Sequence, residues 1–383
     1  MPDSLPPLAP RLERVSASVF SRLVSAFGQV EGQTYPLHVG DTWLRPPRGC
    51  APGEQATQGA PHNTYTPVAG LPELHHALCE RVRTRTGVAV ASDELFVGAG
   101  ATACLSAVAG AIVREDDEVL IFAPAWPLFA GMVKTWGGRP IWVPVFGEEL
   151  SPEALVKRLE QAVTPRTVAV YLNTPNNPTG LVLPEAHLAA TAAWARTRGL
   201  WIVSDEIYED FVFKGHHTYM RTLAPERTIS AWSFSKGYGM AGYRVGYVAG
   251  PAGVVAGARK IATHGWYCAP RPGQLAALHA CGDAGAAWVD QARTAYREIG
   301  CRVADRLGVA EPEGSTFLFV DLTAHLDDTG LEGLLRDCVR EGLLISPGTG
   351  FGDYPNHARV CFTAVAPERT LAGVEILARR MGR

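Results

Sequence analysis

The stretch S-F-S-K-G-Y-G-M-A-G-Y-R-V-G-Y, residues 233–247, sets two serines, one lysine and one arginine among glycine, aromatic and small apolar residues. The apolar run I-S-A-W-S-F precedes and overlaps it, and such a run is typical of a strand buried on both faces of a sheet. Lys236 therefore lies at the carboxyl end of a predicted strand, where side chains emerge into a crevice. A lysine alone is usually a surface residue, so its role depends on the rest of the chain.

The composition of the 383-residue chain limits the kinds of partner and substrate that are expected for it. Hydrophobic residues make up 47% and charged residues 19%, which is enough apolar content for two globular lobes around a large site. The net charge is -3 and no long run carries one sign, so neither nucleic acid nor a membrane surface is an expected partner. A small-molecule substrate is expected instead.

Cysteine and histidine patterns indicate which sites are not expected. The eight cysteines are scattered without a C-x-x-C pair, which predicts reduced thiols and a cytoplasmic protein. The histidines form no H-x-x-x-H pair, so no metal site is expected. No apolar stretch is long enough to span a bilayer, and the amino-terminal residues lack a signal-peptide pattern, so a soluble protein is expected.

Apolar runs and helical patterns alternate through the middle of the chain, which indicates an α/β fold with a mostly parallel sheet. Runs beginning at residues 118, 140, 167, 200, 228 and 244 predict strands, and segments beginning at residues 71, 101, 184 and 251 predict helices. From about Ala284 a long polar helix leads into an α+β alternation. The predicted division is a large domain of residues 48–283 and a small domain of residues 1–47 with 284–383.

Three further motifs carry polar groups, and two of them, beginning at Asn173 and Ser204, follow predicted strands, as the lysine motif does. N-T-P-N-N-P-T-G begins at Asn173, S-D-E-I-Y begins at Ser204, and V-G-A-G-A-T-A-C begins at Val97 and opens a helix. The last motif can hold an anion at the helix N-terminus, with help from Thr102. Together the motifs indicate a ligand with a phosphate, a hydroxyl beside an electrophilic carbon, and a ring nitrogen that pairs with a carboxylate. Pyridoxal 5'-phosphate meets these three demands.

Other interpretations of the motifs are weaker. Ser233 to Lys236 has the S-x-x-K spacing of penicillin-binding acyl-enzymes, but the sequence contains no K-T-G motif. G-A-G-A-T-A from Gly98 fits a dinucleotide-binding fingerprint, but the next predicted strand ends without the acidic residue that would bind a ribose. A non-catalytic regulator with the same cofactor fold would need a DNA-binding region, for which the chain has no spare basic helix.

From roughly Pro36 to Ala364 the motifs resemble, in the same order, those of the fold-type I pyridoxal-phosphate enzymes, specifically the class I/II aminotransferase group related to aspartate aminotransferase. The resemblance implies a large domain with a mostly parallel seven-stranded sheet, a smaller α+β domain, and a homodimer with shared active sites. It also implies amino-group transfer between an L-amino acid and a 2-oxo acid, with pyridoxamine phosphate formed between the two half-reactions. Because the same fold serves β-lyases, cyclases and oxidases, those reactions stay open.

The resemblance also implies roles for individual residues. As catalytic groups, Lys236 would form the Schiff base and move the substrate proton, Asp205 would pair with the ring nitrogen, and Tyr208 would bond the phenolic oxygen. The other expected cofactor contacts are Asn177 on the phenolic oxygen, Trp126 on the ring face, and Ala101, Thr102, Ser233, Ser235, Arg244 and, across the dimer, Tyr65 around the phosphate. Arg359 would grip the substrate α-carboxylate, with Gly40 and Asn177 beside it.

The sequence constrains the substrate side chain less. G-D-T-W-L-R-P-P from Gly40 replaces the Gly-Glu-Pro run common in the family, so Trp43 and Arg45 are expected near the substrate side chain. No second arginine in a distal-carboxylate motif is visible, which favours a neutral or aromatic amino donor over a dicarboxylic one. Arg45 and Arg271 are the residues that could reverse this preference.

Overall fold

A computed structural model describes residues 9–16, 23–56, 63–146 and 150–383. Its larger part is built on one seven-stranded sheet. The strands are β1 (Leu95–Gly98), β2 (Glu118–Ala123), β3 (Arg139–Pro144), β4 (Thr167–Asn173), β5 (Trp201–Asp205), β6 (Thr228–Ser233) and β7 (Gly246–Ala249). All of them except the edge strand β3 are buried along most of their length, as the continuous apolar runs predict.

The strand order is β1-β7-β6-β5-β4-β2-β3. Strand β7 runs antiparallel to β1 and β6, and the remaining neighbours are parallel. The prediction of a mostly parallel seven-stranded sheet is therefore confirmed. The apolar runs singled out as strands did not include β1, whose four residues are too few for a clear periodic signal.

In the described part of the chain, eleven α-helices precede Asp283, and several of them cover both faces of this sheet. In chain order they are α1 (Leu23–Phe27), α2 (Pro52–Ala56), α3 (Pro72–Thr86), α4 (Gly100–Ile112), α5 (Pro127–Thr135), α6 (Pro152–Ala162), α7 (Glu185–Arg198), α8 (Met220–Leu223), α9 (Phe234–Gly237), α10 (Ala252–Gly265) and α11 (Arg271–Ala280). Tyr171 of β4 packs in the cluster formed with α4, α5 and α10, whereas Val170 and Leu172 pack in the cluster formed with α6 and α7. This alternation explains why the buried strands are apolar on both faces.

The smaller part follows the long helix α12 (Asp283–Leu307). It contains β8 (Phe317–Asp321), α13 (Gly330–Arg340), β9 (Ser346–Pro347), β10 (His357–Cys361) and α14 (Pro367–Arg380), with an antiparallel sheet in the order β8-β10-β9. Short 3₁₀ helices lie at Pro10–Arg14, Ser92–Glu94, Ala241–Tyr243, Thr323–His325 and Gly348–Phe351.

The amino-terminal segment attaches to this smaller part. Tyr35 forms a bridge with Leu343, and the Cys361 N–H donates to the Leu37 carbonyl at 2.8 Å. That the first forty-odd residues belong to the small domain stays a prediction. The boundary at residue 283 remains a prediction, because residues from both sides of it share one buried cluster.

The parallel arrangement brings three predicted motifs to one edge of the large sheet. Strands β4, β5 and β6 are neighbours and end at Asn173, Asp205 and Ser233. Among the described residues, no helix is long and apolar enough to cross a bilayer, and no three His, Cys, Asp or Glu side chains are grouped to hold a metal ion. The edge formed by the three strand ends gathers the polar ends of β4, β5 and β6.

Candidate active site

A cavity of about 350 Å³ opens at this edge. Twelve of the thirteen residues predicted for the site line it, although they come from positions between 40 and 359 of the chain. The twelve are Gly40, Ala101, Thr102, Trp126, Asn177, Asp205, Tyr208, Ser233, Ser235, Lys236, Arg244 and Arg359. Tyr65 does not line the cavity. The structure therefore brings these twelve residues together, while their individual roles remain predictions.

Asp205, the last residue of β5, is a buried carboxylate in the wall of the cavity. Its Oδ2 accepts a hydrogen bond from the Tyr171 hydroxyl at 2.8 Å, and its Oδ1 accepts one from the Ile207 N–H at 3.4 Å. The pKa of the Asp205 carboxyl is raised to about 7, because burial and, to a smaller extent, the charge of Glu206 outweigh the opposing effect of the two hydrogen bonds. A cationic ligand group beside Asp205 would offset the cost of keeping this charge in the interior.

Lys236 lies on α9, the single helical turn that directly follows β6. The Ser233 hydroxyl caps this turn by accepting from the Ser235 N–H at 3.1 Å. The Lys236 amine donates to the Gly40 carbonyl. Burial lowers the pKa of Lys236, with the charges of Arg359 and Arg244 adding to the effect and Asp41 opposing it. A lysine with a lowered pKa has more of the neutral amine, which can act as a nucleophile or a base.

Arg244 provides a positive charge near the start of α4. Its guanidinium donates to two backbone carbonyls, at 2.9 and 3.4 Å. Gly100, the first residue of α4, has a φ of +82°, and a Cβ there would collide with this guanidinium, so the close approach requires glycine. The Ala101 and Thr102 amides of the helix N-terminus lie beside the same cavity. Helix amides with an arginine form a site suited to a phosphate.

Arg359 lies on β10 in the smaller part and is buried. One of its amino groups donates to Asn177 Oδ1 at 3.0 Å, and the other donates to the His38 carbonyl. The guanidinium carbon is 4.3 Å from the ring centroid of Phe317 and 4.9 Å from that of Phe351. Because aromatic faces and hydrogen bonds fix its plane, this arginine suits two-point recognition of a carboxylate.

A comparison with known families accounts for this combination of groups. The sequence model described as aminotransferase class I and II matches residues 39–377. The chain belongs to that family. It is an aminotransferase, as the motifs around Lys236 predict.

Similar proteins carry related activities in their names. The aminotransferase is 35% identical over 306 residues to a probable aspartate/prephenate aminotransferase of Thermus aquaticus. The matched region covers 78% of this chain and 79% of the relative. It is 30% identical over 361 residues to aromatic-amino-acid aminotransferase 2 of Thermococcus litoralis, covering 90% of each. The structure of N-succinyldiaminopimelate aminotransferase from Mycobacterium tuberculosis matches with a TM-score of 0.89 at 27% identity, over 98% of this chain and 100% of that one. The predicted fold type is confirmed.

The sequence did not single out several residues that complete the cavity of the aminotransferase. They are Val24, His38, Val39, Leu105, Asn173, Ile207 and Ala241. Asn173 donates to the Asp205 carbonyl at 2.8 Å and accepts from the Asn177 N–H at 2.7 Å, so it ties two predicted site residues together. Its position as the first residue of N-T-P-N-N-P-T-G was the signal that could have identified it.

His38 is another residue that the sequence did not single out. It lies two positions before Gly40, but nothing in the local pattern indicates that its side chain borders the cavity. Burial, with a smaller contribution from the charge of Arg359, lowers the pKa of His38 to about 4. The imidazole is therefore neutral at pH 7 and adds no cation to the cavity.

The structure contradicts the expectation that Trp43 and Arg45 lie near the substrate side chain. Neither residue lines the cavity. The Trp43 ring packs edge-on against Tyr296 at a centroid distance of 4.8 Å, and Arg45 is exposed while its carbonyl accepts from Trp288 Nε1 at 2.7 Å. Both partners are on α12, so packing on this helix turns residues 43–45 away from the site.

Tyr65 lies on the surface of the chain, where its exposed fraction is 83%. Its ring meets Tyr267 edge-on at 5.4 Å, and Arg271 donates to its carbonyl at 3.4 Å. Arg271 does not line the cavity either. The expected reach of Tyr65 across a dimer therefore stays a prediction.

We compare the free energy of unfolding of the Asp205→Asn variant with that of the unmodified protein, both without ligand. We expect the difference to change in favour of the variant as the pH rises from about 4 to 8. The folded pKa of about 7 exceeds that of an unfolded aspartate, so the favourable contribution of the protonated group is complete below pH 4 and is lost as the pH passes 7. The full difference is roughly 4 kcal/mol at most. Urea unfolding of both proteins across this pH range measures it.

The exposed Asp305 provides the control, because Asp305→Asn removes a carboxylate that already has access to water. A stability difference between Asp205→Asn and the unmodified protein that stays constant from pH 4 to pH 8 would contradict the buried-carboxylate assignment.

Proposed function

We propose that this aminotransferase holds pyridoxal 5'-phosphate in the cavity and moves an amino group between an L-amino acid and a 2-oxo acid in two half-reactions. The observation that carries the proposal is the meeting, in one cavity, of a lysine with a lowered pKa, a buried carboxylate and an arginine at a helix N-terminus. Family membership supports the same conclusion. A lyase, cyclase or oxidase activity on the same fold is the alternative.

The residues of the cavity fit the parts of this cofactor. Arg244, the hydroxyls of Ser233 and Ser235, and the amides of Ala101 and Thr102 would hold the phosphate. Asp205 would pair with the ring nitrogen. Trp126 would cover a ring face, and Tyr208 and Asn177 would donate to the phenolic oxygen. When bound, the cofactor supplies an electron sink for the Cα–H bond of the substrate.

Lys236 carries the proton in this mechanism. Its Nζ takes the α-proton of the substrate and returns a proton during each half-reaction. Burial and two neighbouring arginines lower the pKa of Lys236, which increases the share of neutral amine that can accept that proton. No group in the described lining is placed as a dedicated acid for a side-chain leaving group, which favours amino transfer over elimination.

Arg359 would grip the α-carboxylate of the substrate, with Asn177 and the Gly40 backbone beside it. For the substrate side chain we propose a neutral or aromatic group. Val24, Val39, Leu105 and Ile207 supply apolar lining, and the arginines and lysine of the described lining all have tasks at the cofactor or the α-carboxylate. His38 is neutral and offers no charge to a second carboxylate. The aromatic specificity in the name of the Thermococcus litoralis relative agrees with this preference.

The working protein is, in this proposal, a cytoplasmic homodimer. Tyr65 and Tyr267 form an exposed aromatic pair that suits contact with a second chain, from which Tyr65 would reach the phosphate of the neighbouring site. All eight cysteines are free, which agrees with a reducing compartment. The large domain would comprise residues 48–283, and the small domain residues 1–47 with 284–383.

Amino transfer predicts a defined result when the cofactor-loaded enzyme meets an amino acid without an acceptor. Each active site should release one equivalent of 2-oxo acid and then stop, and activity should resume when a 2-oxo acid is added. Phenylalanine and leucine should react faster than aspartate, because the described lining offers the second carboxylate no cation. Rapid-quench assays of the oxo acids measure both results.

Continuous turnover without acceptor, with release of ammonia or peroxide, would contradict amino transfer and support the lyase or oxidase alternative. Faster reaction with aspartate than with phenylalanine and leucine would contradict only the proposed side-chain preference.

A further inference from the structure

A buried ionic cluster lies next to the active-site lysine but outside the cavity. It consists of Arg81 and Arg85 on α3 and of Glu209 and Asp210, which follow β5. Arg85 donates to Asp210 Oδ1 at 2.7 Å and pairs with Glu209, and Arg81 donates to Asp210 Oδ2 at 3.3 Å. The two carboxylates are buried, so each depends on the arginines for its charge balance.

This cluster contacts both residues that follow Lys236. The Arg81 guanidinium donates to the hydroxyl of Tyr238 and lies 5.4 Å from the centre of that ring. A Cβ placed on Gly237 would lie 2.9 Å from Asp210 Oδ2, so the carboxylate sits directly against the turn that carries the lysine. The ionic cluster therefore packs directly against the turn that carries Lys236.

The same cluster belongs to the segment that carries the buried carboxylate of the site. Glu209 and Asp210 directly follow Tyr208 and lie four and five positions after Asp205. Arg293 of α12 donates to the Asp210 carbonyl at 2.8 Å. One set of charges thus joins the segment of Asp205 to the turn of Lys236. Simple stabilisation of the fold would not need contacts at both places.

We propose that Arg81, Asp210 and Tyr238 are positioning residues that hold the turn of Lys236 in register with Asp205. The proposal rests on the role proposed above for Lys236. None of the three residues lines the cavity, so they act through Gly237 and the backbone of α9. A displacement of the amine by less than an ångström is enough to slow proton transfer, whereas Arg359 lies on β10 and its grip on the substrate stays unchanged.

Tyr238→Phe is the mildest test, because it removes only the hydroxyl that Arg81 holds. The phenyl ring keeps its stacking on Phe234, at 5.2 Å, and on Trp288, at 6.2 Å. We expect kcat to fall roughly tenfold with KM within twofold of the unmodified value. Arg81→Met removes both contacts and should lower kcat further. Arg85→Met is the comparison: it removes a partner of the same carboxylates but keeps the bond from Arg81 to Tyr238, so it should lower kcat less than Arg81→Met does.

A second readout needs no cofactor. In the cofactor-free protein, the pH midpoint for labelling of Lys236 by trinitrobenzenesulfonate, followed on its peptide by mass spectrometry, should shift in Tyr238→Phe and in Arg81→Met, and should shift less in Arg85→Met. Burial is the main cause of the lowered pKa of Lys236, and the charges of Asp41, Cys361, Arg359 and Arg244 act beside it. These charged groups remain in all three variants, so a shift reports a displacement of the amine. This labelling also separates the proposals, because it reports on the position of Lys236 even if the enzyme does not use Lys236 in catalysis.

The result that would overturn the proposal is a Tyr238→Phe enzyme with unchanged kcat and an unchanged labelling midpoint. Equal changes in Arg85→Met would also overturn it, because they would indicate general loosening. Thermal unfolding of all variants separates stability from positioning, and Tyr238→Phe alone decides the question if Arg81→Met does not fold.

Discussion

Lys236→Ala is expected to lower amino-transfer activity by roughly 10²- to 10⁴-fold, the range in which a positioned proton-transfer group contributes to catalysis. The variant loses the Nζ atom that takes and returns the substrate proton. Its fold should persist, because burial already lowers the pKa of this amine and its removal leaves no buried carboxylate unpaired in the ionic cluster. Steady-state kinetics with a neutral amino acid, together with thermal unfolding, measure both expectations.

Cofactor should still bind to Lys236→Ala, since Arg244 and Asp205 remain in the cavity. Lys260 provides the matched control, because it is an exposed lysine on α10 and its replacement by alanine should leave activity unchanged. A Lys236→Ala enzyme with the activity of the unmodified protein would show that the site assignment is wrong.

Arg359→Ala is expected to have the second largest effect. Removing one partner of a buried, hydrogen-bonded charge pair costs roughly 2–5 kcal/mol, so the dissociation constant of the substrate should rise between about thirtyfold and a few thousandfold. The affinity for the cofactor should change much less, because Arg359 is not among the groups expected at the phosphate or the ring nitrogen. Titration with a substrate-like monocarboxylic acid and with pyridoxal 5'-phosphate separates the two affinities.

Arg359→Lys gives a graded comparison. It keeps the positive charge but loses the planar guanidinium that Phe317 and Phe351 hold in place. The affinity of this variant for the acid should therefore lie between that of Arg359→Ala and that of the unmodified enzyme. Arg45→Ala is the control, because Arg45 is exposed and outside the cavity. Unchanged acid binding in Arg359→Ala, or a large loss in Arg45→Ala, would mean that another cation grips the carboxylate.

Much of the fold and of the candidate site follows from local patterns in the sequence. The apolar runs that end at Asn173, Asp205 and Ser233 predict adjacent parallel strands, and parallel neighbours must present their carboxyl ends at one edge. The motif residues at those ends therefore meet whatever the details of packing. Lys236 and Asp205 could be placed at this edge because strand ends leave signals within a few residues, whereas Arg244 was identified only through the resemblance of its motif to the family.

The orientation of the segment after Gly40 required the tertiary structure. Its sequence suggested that Trp43 and Arg45 would face the substrate, but packing against Tyr296 and Trp288 of α12 turns them away. These partners lie about 250 residues further along the chain, so no local period reports on them. The pairing of Arg359 with Asn177, 182 residues apart, likewise depends on how the smaller part packs against the sheet.

The ionic cluster shows the same division between local pattern and packing. The sequence determines that Arg81 and Arg85 lie four positions apart on one face of a helix, and that Asp210 follows a strand. Only packing decides that this face meets Asp210 and Tyr238 beside the turn of Lys236. Hydrophobic periodicity and sequence motifs identify which residues form a helix or strand and which strands end at the same edge of the sheet. Side-chain contacts between distant helices and strands depend instead on the three-dimensional packing of the whole chain.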